Sequence, residues 1–97
     1  MYLTCVSHKV HDYARFKEAF DINAALLFER AQCQGTYIVQ INGDPTDLAI
    51  INLWPSEQHW KDFLTLHGSP EFAGKVKNST DATAIGEATF WGGTVAE

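Results

Sequence analysis

The chain has 97 residues, 45% of them apolar and 20% charged, and carries a formal net charge of −5. That length leaves under about 50 residues for each of two separate cores, so one domain over residues 1–97 is expected, and the composition excludes a disordered chain. Seven basic residues face twelve acidic ones, with none between Arg30 and Lys61 or after Lys77; phosphate-backbone binding and adhesion to an anionic membrane both need clustered cations, so nucleic acid and membrane surfaces are not expected partners. The apolar runs, such as Leu48 to Ile51, are far shorter than the roughly 18–20 residues of a transmembrane helix. Cys5 and Cys33 are too few for a disulfide framework and lack zinc-ligand spacing, which fits reduced thiols in the cytoplasm.

Taken in chain order, Tyr2 to Ser7 is rich in β-formers and predicts a first strand. Asp12 then stands as a helix cap, and Tyr13, Phe16, Phe20, Ala24, Leu27 and Ala31 recur at three- and four-residue spacing, which predicts one long amphipathic helix. Gly35 is placed to end it in a left-handed conformation. Residues 36–42 and 48–54 form a hairpin around the turn formers Asn42-Gly43-Asp44-Pro45-Thr46-Asp47. Ser56 and Glu57 open a second helix whose stripe is Trp60, Phe63, Leu64 and His67, and Ser69-Pro70-Glu71 opens a short third one carrying Phe72 and Val76. After a loop at 79–83, Ala84 to Val95 predicts a last strand interrupted by glycines.

The order β-α-β-β-α-(α)-β is that of an α+β, ferredoxin-like fold: a four-stranded antiparallel sheet with its helices on one face. A sheet with one wet face alternates apolar and polar residues, yet Tyr37-Ile38-Val39 and Leu48-Ala49-Ile50-Ile51 do not. Two helices cover one face only. An isologous homodimer is the simplest cover for the other.

The segments Val10-His11-Asp12-Tyr13-Ala14-Arg15-Phe16-Lys17-Glu18-Ala19-Phe20-Asp21, then Gly35, Gly43-Asp44-Pro45-Thr46-Asp47, Trp54 before Ser56, and Ser69-Pro70-Glu71-Phe72 resemble the small dimeric α/β-barrel proteins, including the antibiotic-biosynthesis monooxygenase-like and cyclase-like domains. The resemblance spans about residues 10–91. It implies two ferredoxin-like protomers closing a shared barrel, a pocket between sheet and helices in each, and, as activity, a cofactor-independent monooxygenase or cyclase acting on a small aromatic or polyketide-like substrate. Haem-degrading members place an Asn on the first strand and a Trp and a His on the second helical region, whereas this chain has no Asn in Tyr2 to His8 and, after Ser69-Pro70-Glu71-Phe72, reads Ala73-Gly74-Lys75 where that His would stand; that activity is not implied.

No phosphate loop, dinucleotide fingerprint, hydrolase elbow or metal motif is present, so neither cofactor nor metal is expected, and His8, His11 and His59 have no partner at ligand spacing. Chemistry is expected from constellations instead. At about 100° per residue Asn23 falls on the side of Phe16 and Leu27, and His67 near the centre of the Trp60–Phe63–Leu64 stripe. Asn23 as hydrogen-bond donor and His67 as acid or base are the expected catalytic pair, with Glu87 a third candidate because a carboxylate in a doubly buried sheet has a raised pKa or a partner. Phe16, Phe20, Leu27, Trp60 and Phe63 are the expected ligand-binding walls, and Tyr13, Trp60 and Trp91 could wall an aromatic ligand. Each has a structural alternative: His67 as a cap beside Gly68, Asn23 as a satisfied core amide, Glu87 in an ion pair, and the aromatics as core. Accordingly, a non-catalytic domain that binds a small hydrophobic ligand, or a stress-associated dimerisation domain, stands beside the enzyme reading.

Overall fold

The computed structural model describes residues 1–25, 30–67 and 84–96, with the side chains of Asn23, His67 and residues 84–87 outside the description. Its elements are β1 (Tyr2–Val10), α1 (Tyr13–Asn23), β2 (Gly35–Gln40), a 3-10 turn (Ile41–Gly43), β3 (Asp47–Trp54), α2 (Glu57–His67) and β4 (Ala84–Thr94). The strands form one sheet in the order β2-β3-β1-β4, antiparallel at every step. This is the expected ferredoxin-like α+β architecture.

Capping sets where the helices begin. The Asp12 side chain accepts hydrogen bonds from the backbone N–H groups of Ala14 (2.9 Å) and Arg15 (3.4 Å), satisfying donors that a helix start leaves orphaned. At α2 the backbone N–H of His59 donates to the Ser56 hydroxyl at 3.4 Å, and Glu57 sits in the first turn, where a negative charge suits the helix dipole.

Four boundaries differ from the sequence-based expectation. β1 continues past Ser7 to Val10, because Lys9 finds partners in both Asp47 and Ile85. The regular α-helix stops at Asn23 instead of running to Ala31; Ala31 is buried, but in a turn. The left-handed residue is Gln32 (φ 61°), and Gly35 is instead the first residue of β2, opposite Leu53. The hairpin strands are shorter on the β2 side because Asn42 (φ 54°) and Gly43 (φ 73°) take left-handed conformations. Leu27, the short third helix and the 79–83 loop lie outside the described residues.

Alternation along the strands separates two faces. Val10, Leu48 and Ile50 meet Phe16 and Phe20 of α1 in the buried core, joined at its margin by Tyr13, Ala24 and Ile38. The opposite face carries Leu3, Cys5, Ala49, Ile51, Leu53, Tyr37, Val39 and Trp91, as the register requires. Tyr37 is 56% and Trp91 58% exposed there.

Candidate functional site

The helix-covered face is the place to look for a site, because its floor is not uniformly apolar. Register places Tyr2, Thr4, Val6, His8 and Val10 of β1 on it, beside Trp54, Asn52, Ile50 and Leu48 of β3. Thr4 and Asn52 are buried and directly paired across the strands. The Trp54 indole N–H donates to the Thr4 hydroxyl at 3.0 Å, and the Thr36 hydroxyl donates to Asn52 Oδ1 at 2.5 Å. Such bonds satisfy groups that would otherwise cost about 1–3 kcal/mol each to bury, so this row is a fixed part of the floor.

Two groups of rings stand over that floor. Toward the end of β1, Phe16 stacks on Phe20 (centroids 5.8 Å) and meets the His8 ring edge-on at 5.3 Å. Toward its start, Trp60 stacks on both Tyr2 (5.6 Å) and Phe90 (5.2 Å, planes 8° apart), while Phe63 lies against Trp54 at 5.1 Å. Gly92 makes the second group possible: a Cβ there would lie 2.8 Å from Tyr2 Oη and 3.3 Å from Phe90 Cζ, so only a bare backbone lets both rings settle over it.

The expected wall residues are therefore distributed, with Phe16 and Phe20 in one group and Trp60 and Phe63 in the other. Leu64 corrects the predicted stripe, being 48% exposed, because it stands at the margin of the α2 face, about 40° round the helix from Trp60. The three aromatics expected to wall a ligand do not share one: Tyr13 packs at the α1 core, Trp60 on Tyr2 and Phe90, and Trp91 falls by strand parity on the opposite face. Asn23 ends α1 and His67 ends α2, helices that run in opposite directions between their strands; both side chains, like that of Glu87, lie outside the description. The backbone of Glu87 is placed nonetheless. Between the pairs Ser7↔Thr89 and Lys9↔Ile85 the register shifts, so His8 alone on β1 spans Gly86, Glu87 and Ala88 on β4.

His8 is the residue that sequence reasoning passed over. It lies inside β1 rather than at a strand end, and its Nδ1 is buried with no hydrogen-bond partner among the described residues. The available signal was its parity with Thr4 and Val10. His59, by contrast, is engaged: its Nδ1 and the Ser56 hydroxyl are 2.7 Å apart. Cys33 is held as a thiol, since burial pushes its pKa up and its Sγ donates to the Gly35 carbonyl at 3.2 Å. Asp44 is held well ionised, its carboxyl lowered by the backbone N–H and then the hydroxyl of Thr46, which donate at 2.9 and 2.8 Å. No three His, Cys, Asp or Glu among the described residues come together as a metal site, and no helix among them is long and apolar enough to cross a membrane.

No family model matches the sequence, and no curated protein sequence does either. Solved structures do match. The cofactor-independent oxygenase SnoaB of Streptomyces nogalater superposes with a TM-score of 0.76 at 18% identity, over 99% of this chain and 94% of that one. A protein assigned to the antibiotic biosynthesis monooxygenases, from Nitrosomonas europaea, gives 0.73 at 16% identity over 100% of both chains. The chain has the fold of the antibiotic biosynthesis monooxygenases. A further monooxygenase of this fold, ActVA-Orf6 of Streptomyces coelicolor, was solved in complex with nanaomycin D and superposes with a TM-score of 0.67 at 13% identity, covering 99% of this chain and 88% of that one. At such identities the shared property is the fold, and function has to be argued from the site.

Proposed function

We propose that this chain is a cofactor-independent monooxygenase or cyclase that holds a small aromatic or polyketide-like substrate between the sheet and its helices. The observation that carries the reading is the Tyr2–Trp60–Phe90 stack over Gly92: flat, half-exposed rings at the edge of an otherwise buried floor suit a planar ligand, in a fold shared with a cofactor-independent oxygenase. Phe16, Phe20 and Leu27 complete the apolar walls with Trp60 and Phe63. His67 takes a proton from the substrate, Asn23 donates a hydrogen bond to the resulting anion, and Glu87 is the reserve base. Oxygenation then balances without a cofactor: the substrate anion reduces O2, a carbon–oxygen bond forms, and loss of one water converts a ring CH2 carbon to a carbonyl.

The working unit of this reading is a cytoplasmic homodimer. Tyr37, Val39 and Trp91 are exposed on a face that also carries Leu3, Ile51 and Leu53, and a second copy laid on that face would bury it symmetrically. Light scattering at micromolar concentration is expected to return twice the 10.8 kDa chain mass; a monomer overturns the dimer. For the activity, a panel of quinols and polycyclic phenols is incubated aerobically without added cofactor. Oxygen uptake with a matching quinone product, lost on replacing His67 by Ala in a folded protein, supports the enzyme. Binding of the panel without turnover leaves a small-molecule binding domain.

A further inference from the structure

A buried ring nitrogen without a hydrogen bond is costly, and native folds rarely leave one without a reason. His8 Nδ1 is such an atom, and its position is specific. The ring stands on the helix-covered face toward the end of β1, edge-on to Phe16 at 5.3 Å, as part of the Phe16–Phe20 group of rings. The sheet is also irregular at this point and regular on either side. One β1 residue, His8, spans the three β4 residues Gly86, Glu87 and Ala88, and such bulges re-aim strands beside binding sites. A bulge on an edge strand such as β4 is common in itself; here it falls opposite the unpaired ring nitrogen. Thr4 and Asn52 on the same floor are already bonded to Trp54 and Thr36, and among the described residues His8 Nδ1 is the buried side-chain polar atom still without a partner.

We infer that His8 is a ligand-binding residue whose Nδ1 hydrogen-bonds an oxygen of an oxygenated aromatic molecule lying between the sheet and its helices. The inference rests on the proposed site but adds a residue and a chemical requirement to it: the ligand carries a hydroxyl or carbonyl that reaches His8 toward the end of β1. Apolar rings give the ligand its orientation, and the ring nitrogen selects oxygenated members of the class. This selection works because an analogue lacking the oxygen leaves Nδ1 unpaired.

The test uses 1-naphthol and naphthalene, which share a shape and differ by the hydroxyl, and follows quenching of the tryptophan fluorescence of the full chain. In the wild type the naphthol is expected to bind tighter, and replacing His8 by Phe is expected to shrink its advantage by about three- to tenfold while naphthalene binding persists. An unchanged naphthol advantage in His8→Phe overturns the role of His8 and leaves the site standing. Failure of the wild type to bind either compound overturns both. Should His8→Phe not fold, imidazole 15N spectra of the wild-type protein decide: naphthol must move the His8 Nδ1 resonance and naphthalene must not, and an unmoved resonance overturns the inference.

Discussion

The two faces of this sheet are made from alternate residues of the same four strands, and they do different work. On β3, Leu48, Ile50, Asn52 and Trp54 are all buried against the helical side, while on the other side Asp47, Ile51 and Leu53 stay partly accessible and the small Ala49 is buried among its neighbours. On β4 the contrast is between neighbours: Phe90 lies on Trp60, whereas Trp91 points away from the helices and meets solvent. The difference teaches that apolarity in a strand does not say what covers it. The helical face is closed by this chain's own α1 and α2 and contains polar groups at fixed places. The other face keeps the large side chains of Tyr37, Val39 and Trp91 exposed beside Leu3, Ile51 and Leu53, with the small Cys5 and Ala49 buried among them, and exposed apolar side chains grouped in this way are the pattern of an association surface.

The largest effect expected from probing this contrast comes from the core. Phe16→Ala removes a fully buried ring that touches both Phe20 and His8, and is expected to lower the free energy of unfolding by about 3–5 kcal/mol in urea titrations. A loss under about 1 kcal/mol would show that the α1 core is not what holds the sheet. Val39→Asp, on the open face, is expected instead to halve the mass seen by light scattering, with far-ultraviolet circular dichroism preserved; if it unfolds the chain outright, the two faces are not separable. Next in size, Asp12→Ala is expected to cost about 0.5–2 kcal/mol, because two helix N–H groups lose their acceptor.

Smaller effects test the edges. The Asp44 carboxyl is depressed in the folded state by Thr46, so its contribution is present above the ordinary carboxylate value of 3.8 and is lost as pH falls through the lower folded value. Urea titrations at pH 6 and below pH 3 should therefore show a steeper loss for the wild type than for Asp44→Ala; equal losses would remove the turn from the account. Least of all, Lys17→Ala breaks an exposed pair with Asp21 on α1 and is expected to change stability by no more than about 0.5 kcal/mol.

How far the site could be read from the sequence differs from residue to residue. Asp12 and Ser56 were legible as caps because capping is local, set by one side chain and the two or three residues after it. Phe16 and Phe20 were legible from helical spacing. Ala31 was legible as buried but not as a turn residue, since periodicity reports which side faces the core and not whether the helix continues. Leu64 was misplaced for a related reason: a stripe of four residues is wider than the line along which a helix meets a flat sheet. Trp91 was placed with Trp60 on composition, whereas strand parity puts them on opposite faces. His8 was missed because its neighbours on the floor, Thr4 and Asn52, come from positions 4 and 52, and only pairing across strands shows which polar groups are bonded and which is left over.

By itself, then, the sequence determined the order of elements, the caps that start both helices, the turn around Asn42 and Gly43, and the surplus of apolar residues on the strands, all of which follow from interactions between near neighbours or from a repeating period. The tertiary structure alone decided the register of β1 against β4. That register breaks at His8, brings the backbone of Glu87 beside it, sets Tyr2 and Phe90 around Gly92 and turns Trp91 outward. The physical reason is that strand pairing joins residues more than 80 positions apart, and a shift of a single position would exchange the two faces of the sheet.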